Sequence, residues 1–233
     1  ALGRVRRTEA DGLRAAFHHP RAVFRIEQRG RILRVDFALP GLTTHAVVAL
    51  DSGPPPLTAI APLAGDGVTL TEKRALLPVE GSVQAAGQTY VLRDAVAGLD
   101  YSHGLLPREV QWRWAFVQGL FDDGAPFALN LVDGFVGERE NGLFHGGDVH
   151  PLGAASITAA PHVGDGWVVR AGDDVALEHV GAAEVRVARN LGLVRGDFRQ
   201  RIGAFRGTVR LPEGGEGNVS RAYGIVEQQE VRW

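Results

Sequence analysis

Apolar and polar residues alternate with a period of two along most of this chain, the pattern of strands that bury one face. AVFRIEQ (22–28) and RILRVDFAL (31–39) are separated by Arg29-Gly30, and THAVVAL (44–50) follows Pro40-Gly41, so a three-strand meander is expected. SVQAAGQTYVLR (82–93) predicts a hairpin pivoting near Ala86-Gly87. Further strands are expected in VQWRWAFV, PFALNLV, PLGAASITA, GWVVRAG, AAEVRVARN, DFRQRIGAFRGTVRL and SRAYGIVEQQEVRW. Between them, turn signals such as Asp123-Gly124, Gly146-Gly147, Asp165-Gly166 and Gly214-Gly215 are dense. No segment carries a long apolar stripe of period 3.6. Short helices are expected only at DGLRAAFHH (11–19), TEKRALL (71–77) and DAVAGLD (94–100). The pattern predicts an all-β protein, an antiparallel barrel or sandwich.

The stretch 51–67, with PPP at 54–56, reads as a loop, and near residue 94 aromatic residues and histidines become dense. A boundary is placed there. Residues 1–93 form an N-terminal β half, short for a closed barrel, and 94–233 a C-terminal barrel. The 233 residues suffice for a sizeable core. A net charge of −2 gives no electrostatic argument for nucleic acid or an anionic membrane. Without cysteine there are no disulfides, thiolate metal sites or cysteine nucleophiles. No apolar run approaches a membrane span, and no signal segment opens the chain. Ala1 is not an initiator and methionine is absent, so the chain reads as processed, trimmed or an excerpt. A cytoplasmic location is expected; the oligomeric state is not encoded in any recognisable signal.

Candidate chemistry concentrates between Asp100 and Leu152. In VQWRWAFV, Val110, Trp112, Trp114 and Phe116 share one strand face. That face either lines a ligand cavity or fills a core, and each buried indole N–H needs an acceptor. DYSHG (100–104) is expected as a loop at a barrel mouth, either with Asp100 and His103 as a proton-transferring pair and Tyr101 as a donor to a ligand oxygen, or with Asp100 capping a turn and His103 anchoring the loop by a backbone bond. ENGLFHGGDVHPL predicts a hairpin turning on Gly146-Gly147, with His145 opposite Asp148 and Leu143 opposite His150. Asn141, His145, Asp148 and His150 would then share a face, as an acid–base site or a surface cross-strand pair. The HxxDxH spacing matches no metal motif, so no metal is expected. His18-His19 reads as a cap or surface feature. Phosphate-binding loops, GxSxG and HExxH are absent.

These residues resemble a bacterial family, the domain of unknown function 2804 family. It is itself similar to a lipocalin-like group that includes the AttH proteins, hydroxyneurosporene synthase (a carotenoid hydratase), tocopherol cyclases and some pericyclase-type enzymes. The resemblance rests on Asp100-Tyr-Ser-His103-Gly104, Trp112-x-Trp114, Gly119, Asp123-Gly124, Asn130, Glu140-Asn141, the Gly147–His150 turn, and the closing Gly203, Gly207, Gly224, Glu227 and Trp233. It implies antiparallel lipocalin-like (calycin-like) barrels in two packed halves, with few short helices, and part of the first barrel absent. It also implies cofactor-free hydration, isomerisation or cyclisation of a terpenoid- or polyketide-like substrate. Where the group has D-H-x-x-G before the WxW strand, this chain has D-Y-S-H-G.

The expected function is therefore acid–base catalysis on an apolar small molecule, without a cofactor. Asp100 and His103 would transfer protons. Tyr101, Asn130, Glu140, Asn141, His145 and His150 would bind polar ligand atoms, and Trp112 and Trp114 would form the wall. The alternative is a carrier for a lipid or terpenoid, whose lining would be apolar and neutral.

Overall fold

The computed structural model describes residues 2–8, 12–160 and 166–233. Its strands are β1 (Leu2–Thr8), β2 (Gly12–His19), β3 (Ala22–Arg29), β4 (Ile32–Leu39), β5 (Leu42–Ala49), β6 (Leu57–Leu63), β7 (Gly67–Ala85), β8 (Gln88–Leu105) and β9 (Glu109–Leu120). They continue as β10 (Pro126–Asp133), β11 (Gly142–His145), β12 (Asp148–Pro151), β13 (Ala155–Ala160), β14 (Gly166–Ala171), β15 (Val175–Asn190), β16 (Arg195–Arg210) and β17 (Glu216–Arg232). A 3-10 turn at Gly137–Glu140 is the one helical element among the described residues.

The chain divides into two units, one of Ala1–Pro54 with Ala75–Gly98, the other of Pro55–Arg74 with Leu99–Trp233. In the first, β1 to β5 form an antiparallel meander and the latter part of β7 adds next to β5. Its two-residue turns follow the sequence signals. Pro40-Gly41 joins β4 to β5 with Gly41 at φ 82°, and Ala86 (φ 50°) with Gly87 (φ 78°) turns β7 into β8. The positive φ at both central residues of the latter suits the right-handed twist of the flanking strands. Phe17, Phe24 and Phe37 stand opposite one another on three strands, with centroids 6.0 and 5.9 Å apart.

The second unit holds a nine-stranded antiparallel sheet, in order β12-β11-β10-β9-β17-β16-β15-β14-β13. It curls so that the amide of Ile157 on β13 donates to Asp133 at the end of β10 (3.1 Å), which makes a half-barrel. The concave side is filled. Phe127 stacks on Phe121 at 4.2 Å, and Leu129, Leu131, Leu177, Phe205 and Val226 pack with them. Aromatic and aliphatic residues there leave a packed core of the ordinary kind. Gly224 lets β17 approach β9, since a Cβ at that position would sit on the carbonyl oxygen of Phe116.

The three helix expectations are overturned. Residues 12–19 of the first form β2, 71–77 lie inside β7 and 94–100 inside β8, while Asp11 lies outside the described residues. Each segment is Ala- and Leu-rich, and pairing with neighbours overrides that weak local preference. His18 and His19 close β2 on the surface, and His19 Nδ1 accepts from the amide of Arg21 (3.2 Å). The Asp165-Gly166 turn also falls partly outside the described residues.

Inside the half-barrel, His179 on β15 is fully buried, opposite Trp167 and against Phe205 at 4.8 Å. Neither ring nitrogen, nor Trp167 Nε1, has a hydrogen-bond partner among the described residues. Burial, with a smaller push from the Arg201 charge, lowers the imidazole pKa from 6.5 to about 4. The folded protein thus holds this ring neutral where the unfolded chain would protonate it. The stability contributed by this neutral ring is fully present above about pH 6.5 and falls as pH drops through the range down to about 4, by roughly 3 kcal/mol in all. Urea unfolding at pH 7 and pH 4.5 should show a smaller difference in His179→Leu than in the unsubstituted protein. An equal difference would show that the ring does not govern acid sensitivity.

Candidate functional site

The half-barrel uses both faces of β9 and β10. On β9, Ala115 and Val117 point into the core, and the period of two sends Trp112 and Trp114 to the other face. Asn130 and Val132 on β10 face the same way. Against this second face lie β6, the first part of β7 and the last part of β8, all of the second unit. Here Trp112, Trp114 and Phe135 pack with Ala61, Leu63 and Val132. A cleft of about 230 Å³ opens beside them.

The polar lining comes from four places. Thr69 and Lys73 alternate inward from β7, Asp100 and Ser102 from β8. Glu140 comes from the 3-10 turn and Glu227 from β17. Lys73 Nζ donates to Asp100 Oδ1 (2.6 Å) and lies 3.4 Å from Glu140 Oε2. It also sits 5.3 Å from the centroid of Trp114, a cation–π distance. The Lys73 and Glu140 side chains are 6% and 3% exposed, whereas Asp100 is 39% exposed at the mouth of the cleft. Two buried charges in contact neutralise each other, which an isolated one could not do at acceptable cost.

Both indole N–H groups are satisfied. Trp114 Nε1 donates to Asn130 Oδ1 (2.8 Å), and Asn130 Nδ2 donates in turn to the backbone carbonyl of Glu140 (2.7 Å). Trp112 Nε1 donates to Glu227 Oε1 (2.9 Å), and Gln200 Nε2 donates to Glu227 Oε2 (3.1 Å). Asn141 accepts from the amide of Val132 (2.7 Å) and donates to the Gly153 carbonyl (2.9 Å), which fastens the 3-10 turn to β10. Asn130 and Asn141 therefore hold the wall in place.

DYSHG is the end of a strand, not a loop. Gly104 allows this, because a Cβ there would collide with the Val68 carbonyl of β7. Strand alternation puts Asp100 and Ser102 in the cleft and sends Tyr101 and His103 to the opposite face, outside its lining, with His103 exposed. The hairpin has the register expected of it, with Leu143 opposite His150 and His145 opposite Asp148, across Gly146 (φ 64°) and Gly147 (φ 88°). Its histidines lie away from the cleft. His145 packs edge-on to Phe121, with Nδ1 3.3 Å from the Pro126 carbonyl, and His150 Nε2 lies 3.2 Å from the His145 carbonyl.

Of the residues expected at the site, Asp100, Trp112, Trp114 and Glu140 line one cleft. Lys73, Glu227 and Phe135 also line it and are not among the residues expected there. The available signals were that Lys73 is the single lysine of the chain, and that Glu227 belongs to the C-terminal pattern.

A family model described as a domain of unknown function, DUF2804, matches residues 3–233. No curated protein matches. Among solved structures, one described as an AttH protein of Nitrosomonas europaea superposes with a TM-score of 0.55 at 12% identity, over 89% of this chain and 69% of that one. Kievitone hydratase of Nectria haematococca gives a TM-score of 0.47 at 11% identity, over 99% of this chain and 87% of that one. The fold is the all-β, antiparallel, lipocalin-like class that the sequence resemblance implied. No helix among the described residues is long and apolar enough to cross a membrane.

Proposed function

The chain belongs to the DUF2804 family, and on that premise we propose that it is an enzyme acting on an apolar small molecule by proton transfer. Hydration, isomerisation or cyclisation of a terpenoid- or polyketide-like substrate fits the cleft. The observation that carries this is the Lys73–Asp100 pair beside the Trp112 and Trp114 rings. In a hydration, the pair would release one proton to a double-bond carbon of the substrate, leaving a cation at the other carbon. The indole faces would stabilise that developing charge by about 1–2 kcal/mol. A water would add to the cation, the Glu227 carboxylate would take its surplus proton, and exchange through solvent water would return that proton to the pair. Isomerisation uses the same protonation, followed by transfer of a proton from a neighbouring carbon to the Glu227 carboxylate and its return to the pair through solvent water. His103 has no part in this scheme because it faces away from the cleft.

The test is turnover of a panel of isoprenoid and polyketide-like alkenes, read by mass spectrometry as gain of one water or as an isomer. Asp100→Asn should lower turnover by about 10²-fold or more while ligand binding persists. Equal turnover by the variant would overturn the assignment of Asp100. Binding without turnover in the unsubstituted protein would favour a carrier.

A further inference from the structure

Two buried polar atoms of this region have no hydrogen-bond partner among the described residues. Glu140 lines the cleft and is 3% exposed, and its Oε2 faces Lys73, but its Oε1 has no hydrogen-bond partner among the described residues. Thr71, between Thr69 and Lys73 on the same face of β7, likewise has an unmatched and buried Oγ1. A buried carboxylate oxygen without a donor is costly, and such groups in folded proteins are nearly always matched. Glu140 Oε1 is an acceptor that no described residue matches.

The charge of the lining narrows the ligand further. Three carboxyl side chains, Asp100, Glu140 and Glu227, surround the cleft against one amine. That amine is already engaged by Asp100 and Glu140. An incoming carboxylate would find like charges and no free cation. A hydroxyl or an amine would find an acceptor at Glu140, with the Trp112, Trp114 and Phe135 rings for its apolar part.

We propose that the cleft takes an apolar molecule bearing a hydroxyl or amine hydrogen-bond donor, held by the Glu140 carboxyl group, and rejects carboxylic acids such as fatty acids. This rests on the cleft being a small-molecule site, as in the function proposed above, and defines its substrate class. Catalysis at Asp100 is not needed for it.

Four probes with one carbon skeleton test it, namely 4-phenylbutanol, 4-phenylbutylamine, 4-phenylbutyrate and butylbenzene. Binding is read by tryptophan fluorescence and checked by equilibrium dialysis. The alcohol and the amine should bind at least ~10-fold more tightly than the acid, because like charges in a low-dielectric site repel. Butylbenzene should bind about 10-fold more weakly than the alcohol, because it leaves Glu140 unmatched. In Glu140→Gln the gap between alcohol and acid should narrow. Acid binding equal to that of the alcohol, or butylbenzene binding equal to it, would overturn the inference while leaving a small-molecule cleft intact. No binding by any of the four would overturn the inference and the proposed function together. Equal binding of acid and alcohol alongside loss of turnover in Asp100→Asn would retain the function alone.

Discussion

Lys73→Met should lower the unfolding free energy by about 3–5 kcal/mol, the usual cost of removing one partner from a buried ion pair. The amine is 6% exposed and is the cation that faces the 3% exposed Glu140. Its loss leaves that carboxylate in an apolar surrounding without compensation. Asp100 is partly hydrated and suffers less, which places the expected value near the lower end of the range. For a chain of this length, such a loss corresponds to a fall in Tm of roughly 6–12 °C. The attraction between the amine and the Trp114 ring is lost as well. Adding Glu140→Gln to Lys73→Met should restore much of the stability, because it removes the stranded charge. Urea unfolding of the two single variants and the double variant gives the coupling directly, expected at about 1–3 kcal/mol. A loss under about 1 kcal/mol in Lys73→Met would show that the amine is not the counter-charge for Glu140.

Phe127→Ala should cost about 3–5 kcal/mol, the range for emptying a buried phenylalanine site. Phe127 has no exposed surface and stacks on Phe121 at 4.2 Å, at the centre of the half-barrel core. Binding of 4-phenylbutanol by the folded fraction should be unchanged, because the ring lies on the core side of β10 while the cleft lies on the other. Weakened binding at full folding would mean that the concave side takes part in the site. Denaturant unfolding and the fluorescence titration, made on the same preparation below the transition, separate the two effects.

Strand content and register were legible in the sequence wherever alternation was clean and a turn signal stood at each end. The meander from Ala22 to Ala49, the Ala86-Gly87 turn and the Gly146-Gly147 hairpin all follow local chemistry, and their registers follow from it. The 71–77 and 94–100 segments misled because each lies inside a long strand, 19 residues for β7 and 18 for β8. Leu76 (φ 54°) and Asp94 (φ 53°) depart from extended geometry within them, so no single period of two runs through. The site was half legible. Trp112 and Trp114 were legible as one strand face from the period of two, though not whether that face lined a cavity or filled a core. Asp100 was singled out for its chemistry, and only the pairing of β8 with β7 places it beside that face.

The rest of the site depends on contacts that no local rule contains. Trp112 and Glu227 are 115 residues apart in sequence, and only the adjacency of β9 and β17 brings them within 2.9 Å. Lys73 lies in a segment that precedes the aromatic region, and it reaches the cleft because Pro55–Arg74 joins the second unit. Asp100 and His103 illustrate the opposite case. Three residues apart in a strand, they cannot face the same side, and reading the segment as a loop concealed that constraint. Gly104 looked like turn punctuation and is a point of close strand contact.

A lysine-specific protease has a single bond to attack in this sequence, after residue 73. That residue is paired with Leu57 across β6 and β7, and its side chain is held among acids and an indole. Scission therefore demands that these two strands separate first, and its rate at excess protease counts how often they do. Any molecule that settles against the amine's neighbours will slow the nick, so an ordinary digest becomes a gauge of occupancy that requires no knowledge of the reaction.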